Sequence, residues 1–140
     1  MDTREQKKLW AKSTKYDTIE IKALTTGDYS IKGHENDFAI ERKSLSDLFG
    51  SLGSDHKRFR KEIERGLKMK YFAIIIDGSY DNALNKDFEG SHFTKMKGYV
   101  VTQILFTLHI KYNLPIFFTS GRSQSKRIIK ELMKAYLKIN

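Results

Sequence analysis

The stretch Gly27 to Asp47, GDYSIKGHENDFAIERKSLSD, places acids, a lysine and two short strand patterns in one hairpin-sized unit. Phe38 to Lys43 reads as a strand, with a β-compatible apolar start and a bounded length. Strand side chains alternate between faces, so Glu41 and Lys43 share a face with Ala39, roughly 6–7 Å apart between Cα atoms, while Phe38, Ile40 and Arg42 take the other. Tyr29 to Lys32 is a second extended run, and the turn-rich segment Gly33 to Asp37 folds the two together. Pairing of the runs would bring Asp28 toward Glu41.

Two carboxylates and a lysine on adjacent strands suit metal-assisted hydrolysis of a phosphodiester. Carboxylate oxygens are hard ligands for Mg²⁺, which keeps several waters and takes substrate phosphate oxygens directly. Such an ion polarises the phosphate and activates the attacking water. Lys43 would stand beside the scissile phosphate as an electrostatic stabiliser and water-positioner. The same residues also describe a plain strand with a solvated Glu-Lys pair, because an acid followed by E-x-K is a common pattern.

The complete string is more specific. Gly27-Asp28, then Glu41-Arg42-Lys43 and, after three residues, Asp47 resemble the signature of the XPF-type structure-specific DNA nucleases, a branch of the PD-(D/E)xK superfamily. Asp2-Thr3-Arg4-Glu5 resembles that family's acid-x-Arg-Glu element. Ser51-Leu52 with Arg58-Phe59 and Glu62 resembles its loop and helix after the motif, and Ile74-Ile75-Ile76-Asp77-Gly78-Ser79 its central strand ending in acid-Gly-Ser. The resemblance implies that Asp28 and Glu41 are metal ligands, with Asp2 a further candidate, that Lys43 is the catalytic lysine, and that Arg42 and Asp47 support the motif. It implies Mg²⁺ or Mn²⁺ as cofactor, and DNA with branches, flaps or forks as substrate, cut to leave a 5′-phosphate and a 3′-hydroxyl. Two residues have competing readings. Ser44-Leu45-Ser46-Asp47 is also a capping box that accounts for Asp47 without chemistry. Arg42, on the face away from Glu41, serves an ion pair beneath the sheet as readily as a phosphate contact.

At 140 residues the chain is long enough for one domain with its own core. The expectation is a single nuclease domain over residues 1–140, without the family's usual first strand before Asp2 and without its tandem helix-hairpin-helix domain. Apolar residues make up 39% and charged ones 31%, a globular rather than a disordered composition. With no cysteine, a disulfide framework, a thiolate nucleophile and a Cys-ligated zinc are excluded. No signal peptide or membrane-spanning run is recognisable, so an intracellular, soluble protein of cytoplasm or nucleus with no membrane partner is expected. The net charge of +9 suits a polyanionic partner.

Along the chain, Thr18 to Leu24 alternates as a half-buried strand leading to Gly27. Ser44 to Leu52 reads as a short helix ended by Gly53, and Ser54-Asp55 begins a second reaching about Met69. That second helix has a thin stripe of Phe59, Ile63 and Leu67 in a strongly basic surface, read as a phosphate-backbone contact through Lys57, Arg58, Arg60 and Lys61, or as a solvated face. Tyr71 to Ile76 is apolar enough for a strand buried on both faces. Asn82 to Phe93 reads as a surface loop, with a short helix as the alternative. A helix from Thr94 to Tyr112, apolar on more than one face, must be covered on several sides. Pro115 opens a strand over Ile116 to Phe118, and Ser123 caps a last helix whose stripe is Ile128, Ile129, Leu132, Met133, Tyr136 and Leu137.

These readings converge on an α/β fold with a mixed central sheet flanked by helices, similar to the restriction-endonuclease-like core. The function they imply is a metal-dependent DNA endonuclease, forming a homodimer through the two C-terminal helices unless these simply finish one core. A noncatalytic DNA-binding or scaffold module of the same fold and an RNA nuclease are the alternatives.

Overall fold

The computed structural model describes residues 29–140. Asp2, Asp28 and the strand expected at Thr18 to Leu24 lie outside the described residues.

The described chain runs β1 (Phe38–Ser44), α1 (Leu45–Leu52), α2 (His56–Gly66), β2 (Tyr71–Asp77), α3 (Tyr80–Leu84), a 3-10 turn at Ser91–Phe93, α4 (Gly98–Tyr112), β3 (Ile116–Thr119) and α5 (Arg122–Ile139). Parallel strands need crossover connections, and the helices supply them. The sheet has strand order β1-β2-β3, with both pairings parallel. The antiparallel contributions to the expected mixed sheet are two isolated bridges, Gly78 with Thr119 and Tyr29 with Ile40, the latter made by Tyr29 N donating to Ile40 O at 3.1 Å and Ile40 N to Tyr29 O at 2.9 Å. The Gly33–Asp37 connection thus folds the two runs together as their turn residues imply.

Alternation along the strands builds two apolar layers. Ala39, Ile74 and Ile76 pack with Leu45, Leu48, Phe59, Ile63, Val101 and Leu105 from α1, α2 and α4. Phe38, Ile40 and Ile75 pack with Tyr29, Ile31 and, from α5, Ile129, Met133 and Tyr136. The sheet therefore lies between two helical layers. β2, buried from Phe72 to Ile76, is its centre, as its unbroken apolar run requires. At the strand's end Gly78 has φ +154 and lies so close to Leu45 that a Cβ would meet its Cδ1 at 2.5 Å. Ser79 then caps α3 in a capping box with Asn82. The acid-Gly-Ser string is thus a strand end, a tight passage and a helix start in succession.

Several boundaries differ from the sequence expectation. α2 has Asp55 at its N-cap, as expected, but ends at Gly66, short of Met69. The short helix allowed for in the segment from Asn82 starts earlier, at Tyr80, and is α3. α4 begins at Gly98 rather than Thr94, because Gly98 abuts the backbone of α3, where a Cβ would meet Leu84 O at 2.0 Å. Nor is α4 covered on several sides: Val101, Thr102 and Leu105 are buried, whereas Tyr99 is 61% and Ile110 80% exposed. α5 begins at Arg122 after Gly121, so Ser123 lies within its first turn and is not its cap. Its stripe divides, with Ile129, Met133 and Tyr136 buried, Ile128 and Leu132 partly buried and Leu137 exposed.

Candidate active site

β1 presents its polar residues where its apolar packing ends. Burial is complete from Phe38 to Glu41 and partial from Arg42 to Ser44. Glu41 and Lys43 share one face, as alternation predicts, and Lys43 Nζ lies 3.5 Å from Glu41 Oε2. Both side chains are largely sequestered, at 10% and 12% exposed, so the pair is not the solvated one that E-x-K alone allows. On its other side Lys43 Nζ stands 5.1 Å from the centroid of the Phe59 ring, within cation–π range. Phe59 is itself buried in the layer beneath α2. A carboxylate and an aromatic face from two different elements therefore bracket the ammonium.

Arg42 points through the opposite face. Its guanidinium donates to Asp77 at the end of β2, with Nε 3.2 Å from Oδ1 and the terminal nitrogen 2.6 Å from Oδ2, the forked geometry that arginine and carboxylate share. The Tyr29 hydroxyl is 3.5 Å from the other terminal nitrogen. Burial works against the charge on Arg42, but the hydrogen bonds and charge of Asp77 and Tyr29 outweigh it, leaving the guanidinium pKa above its ordinary value. Of the two readings open for Arg42, the ion pair beneath the sheet is the one formed.

Asp47 is exposed in the first turn of α1. Ser44 Oγ accepts from Asp47 N at 3.1 Å, which is the N-cap bond the Ser44-Leu45-Ser46-Asp47 string predicts. The basic residues of α2 are all exposed. At 100° per residue, Arg58 and Arg60 flank the Phe59 edge that faces Lys43, whereas Lys57 and Lys61 project from the far side of the helix. Arg58 also makes an exposed contact with Asp55 at 3.4 Å, of the kind that contributes little.

The described residues contain no group of three or more His, Cys, Asp or Glu side chains placed to hold a metal. Glu41 brings one hard oxygen donor. Mg²⁺ is commonly held by one or two carboxylates, with waters and phosphate oxygens filling the remainder, so this donor fits that ion without a complete protein cage. No helix of the described residues is long and apolar enough to cross a membrane.

Two features escaped the sequence reading. Phe59 as a neighbour of Lys43 was visible only as one member of an apolar stripe. Behind Arg42, Asp77 is held by Ser125 Oγ, which donates to Asp77 Oδ1 at 2.5 Å. Pairing Arg42 with Asp77 required the register of β1 on β2, and nothing local pointed to Ser125.

A family model described as the ERCC4 domain matches residues 1–132. Among curated proteins, the 3′-flap repair endonuclease Xpf of Saccharolobus solfataricus is 26% identical over 119 residues, which is 85% of this chain and 46% of that protein. Among solved structures, XPF from Aeropyrum pernix shares the fold with a TM-score of 0.61 at 20% identity, over 82% of this chain and 48% of that one. The same protein in complex with DNA gives a TM-score of 0.61 and 20% identity, over 85% and 53%. The chain spans about half the length of these relatives.

Proposed function

The chain belongs to the ERCC4 domain family, and from that premise we propose that it is a structure-specific DNA endonuclease, acting as one nuclease unit on branched, flapped or forked DNA. The observation that carries the reading is the sequestered Glu41–Lys43 pair, 3.5 Å apart on the face of β1 that meets the basic helix α2. A structural ion pair has no need of a phosphate-binding wall beside it; a hydrolytic site does. The Saccharolobus relative, a 3′-flap repair endonuclease, and the DNA complex of the Aeropyrum protein support the substrate class.

Mg²⁺ or Mn²⁺ would be held by Glu41 with Asp28, and Asp2 as a further candidate, and would supply charge neutralisation at the phosphate and activation of the attacking water. Lys43 directs its ammonium at the charge that grows on the phosphate oxygens and orients the water through Nζ. Glu41 and the Phe59 ring keep that ammonium in one position, so little reorganisation is needed during reaction. Water attacks phosphorus and releases a proton to solvent, the bond to the 3′ oxygen breaks and that oxygen takes up a proton from solvent, leaving a 5′-phosphate and a 3′-hydroxyl. Arg58 and Arg60 bind the backbone from the near edges of α2, with Lys57 and Lys61 adding longer-range attraction. Arg42 acts through structure by anchoring β1, whereas Ser44 caps α1 and Asp47 adds a favourable negative charge to its first turn.

The exposed Tyr99 and Ile110 of α4, with Leu137 and Ile139 at the end of α5, support assembly into a twofold homodimer through the C-terminal helices. Sedimentation at micromolar concentration gives twice the 16.3 kDa chain mass if so; a mass that stays at one chain rules it out.

The deciding experiment is cleavage of flap, fork, duplex and single-stranded DNA and of RNA, with Mg²⁺, with Mn²⁺ and with EDTA. Metal-dependent cutting at flaps or forks is expected. Binding to DNA without cutting would make the chain a scaffold module, and preferential cutting of RNA would move it to another substrate class.

A further inference from the structure

A chain of polar side chains runs through the otherwise apolar layer between the sheet and α5. Ser125 and Thr119 are 0% and 2% exposed, and their hydroxyls lie 2.8 Å apart. Asp77 can only accept and Arg42 can only donate. The Ser125 proton is therefore committed to Asp77 at 2.5 Å, while the single Thr119 proton has Ser125 Oγ at 2.8 Å, Ile76 O at 3.0 Å and Gly121 O at 3.1 Å as acceptors. The direction is fixed at Asp77, which accepts from Ser125 on one side and from Arg42 on the other. The path joins β3, α5, β2 and β1.

Its place in the fold gives it a task. The C-terminal half of β1 is where apolar burial fades, from Arg42 to Ser44, and it is also the half that bears Lys43. Arg42 lies between Glu41 and Lys43 in the chain and projects from the opposite face. Tying its guanidinium at two points to Asp77 restrains this half of β1 against the end of β2, from the face opposite to Glu41 and Lys43. We propose that Asp77 and Ser125 are positioning residues that set the Glu41–Lys43 pair from behind the sheet, with Arg42 as the connecting arm. Asp77 is then not a metal ligand, since both of its oxygens are engaged on the face away from Glu41. The proposal rests on the endonuclease reading for its effect on turnover, but not for the geometry itself.

The test uses the full chain with Ser125→Ala, Asp77→Asn and the double variant. On flap DNA with Mn²⁺, Asp77→Asn should lower kcat by about ten- to a hundredfold and Ser125→Ala by about three- to tenfold, because small displacements of a catalytic group cost that much. KM for DNA should stay within about twofold of the parent, as the α2 contacts are untouched. The double variant should match Asp77→Asn alone, the mark of two residues in one path. Independently of turnover, the Arg42 Nε and Lys43 Cε resonances should both move in Ser125→Ala, although Ser125 lies across the sheet from Lys43. An unchanged Lys43 resonance with kcat at the parent value overturns the proposal, as does loss of Mn²⁺ affinity in Asp77→Asn, which would make Asp77 a ligand. If Asp77→Asn does not fold, Ser125→Ala, which removes one hydroxyl, decides alone. If the parent chain cleaves nothing, the endonuclease reading fails, and the Lys43 resonance still decides whether positioning occurs.

Discussion

The Lys43 ammonium lies 5.1 Å from the centre of the Phe59 ring, so the end of β1 that bears Lys43 rests on the helix that carries the basic surface. A displacement of α2 reaches Lys43 directly through that ring. Replacing Phe59 by leucine keeps an apolar side chain of similar burial and removes the aromatic face. The expected outcome is a several-fold lower kcat with a thermal midpoint within a few degrees of the parent, read by parallel kinetics and calorimetry. Phe59→Ala should instead cost about 3–5 kcal/mol of stability through the cavity it leaves, and denaturant titration measures that.

Lys43→Ala should keep metal and DNA binding while turnover falls by about a hundredfold or more, the drop expected when one group that stabilises developing charge is removed. Single-turnover cleavage with saturating enzyme checks it, and full-rate cutting would remove Lys43 from the mechanism.

Charge removal at Arg58 and Arg60 should weaken binding to every DNA sequence alike and flatten the dependence of log affinity on log salt by about one unit for each phosphate no longer neutralised. The same change at Lys57 and Lys61 should have the smaller effect, since those side chains leave the far side of α2. Equal effects at all four positions would mean that the duplex wraps the helix rather than resting on one edge.

Gly98→Ala should destabilise by about 1–3 kcal/mol, the range for forcing atoms into a filled space. The added Cβ would meet Leu84 O at 2.0 Å and Ala83 O at 2.5 Å, and backbone atoms do not swing aside as a flexible side-chain tip does. A lower thermal midpoint with DNA affinity retained is the expected readout.

Asp37 and Tyr136 should give the stability profile a limb at each end. The Tyr136 hydroxyl donates to Asp37 Oδ2 at 2.5 Å, and chiefly for that reason the Asp37 pKa is lowered, with His34 adding to the effect. Stability from this carboxylate is present above the unfolded value near ~3.9 and is lost as pH falls through the lower folded value. Burial, together with the bond to Asp37, pushes the Tyr136 pKa up to about 12. Stability from the neutral phenol is whole below the unfolded value near ~10 and is lost as pH rises toward the folded one. Tyr136→Phe should flatten both limbs in denaturant titrations across pH, and a profile that keeps them would assign them to other groups.

The alternating pattern of β1 was enough to put Glu41 and Lys43 on one face and Arg42 on the other, because a period of two leaves no alternative once the strand is paired. The unbroken apolar run of β2 marked the central strand for the same kind of reason. What stayed hidden depended on the meeting of distant segments. The start of α4 is decided by how closely Gly98 approaches Leu84, and local periodicity carries no record of that approach. The partner of Arg42 is decided by the register that aligns Ser44 with Asp77, and that of Asp77 by the entry of α5. The exposed face of α4 went the other way: an apolar helix demands cover, but its composition does not say whether the chain's own sheet provides it.

Among the described residues strand order follows chain order, so each of these crossovers lays its strand at the growing edge and neither is threaded between two strands already joined. For a chain leaving a ribosome from its amino end, the strand bearing Glu41 and Lys43 pairs early. On its Arg42 face it then has Tyr29 and Ile31 but lacks Ile129, Met133 and Tyr136 until α5 arrives, across the 99 residues that separate Asp37 from Tyr136. Synthesis thereby imposes a delay. A nascent fragment ending near Ser120 holds Arg42 and Asp77 without Ser125 behind them, so the arrangement on that side of the sheet is complete only after α5 is made. Ribosome-arrested chains ending on either side of α5, probed by limited proteolysis at β1, should gain protection only in the longer form.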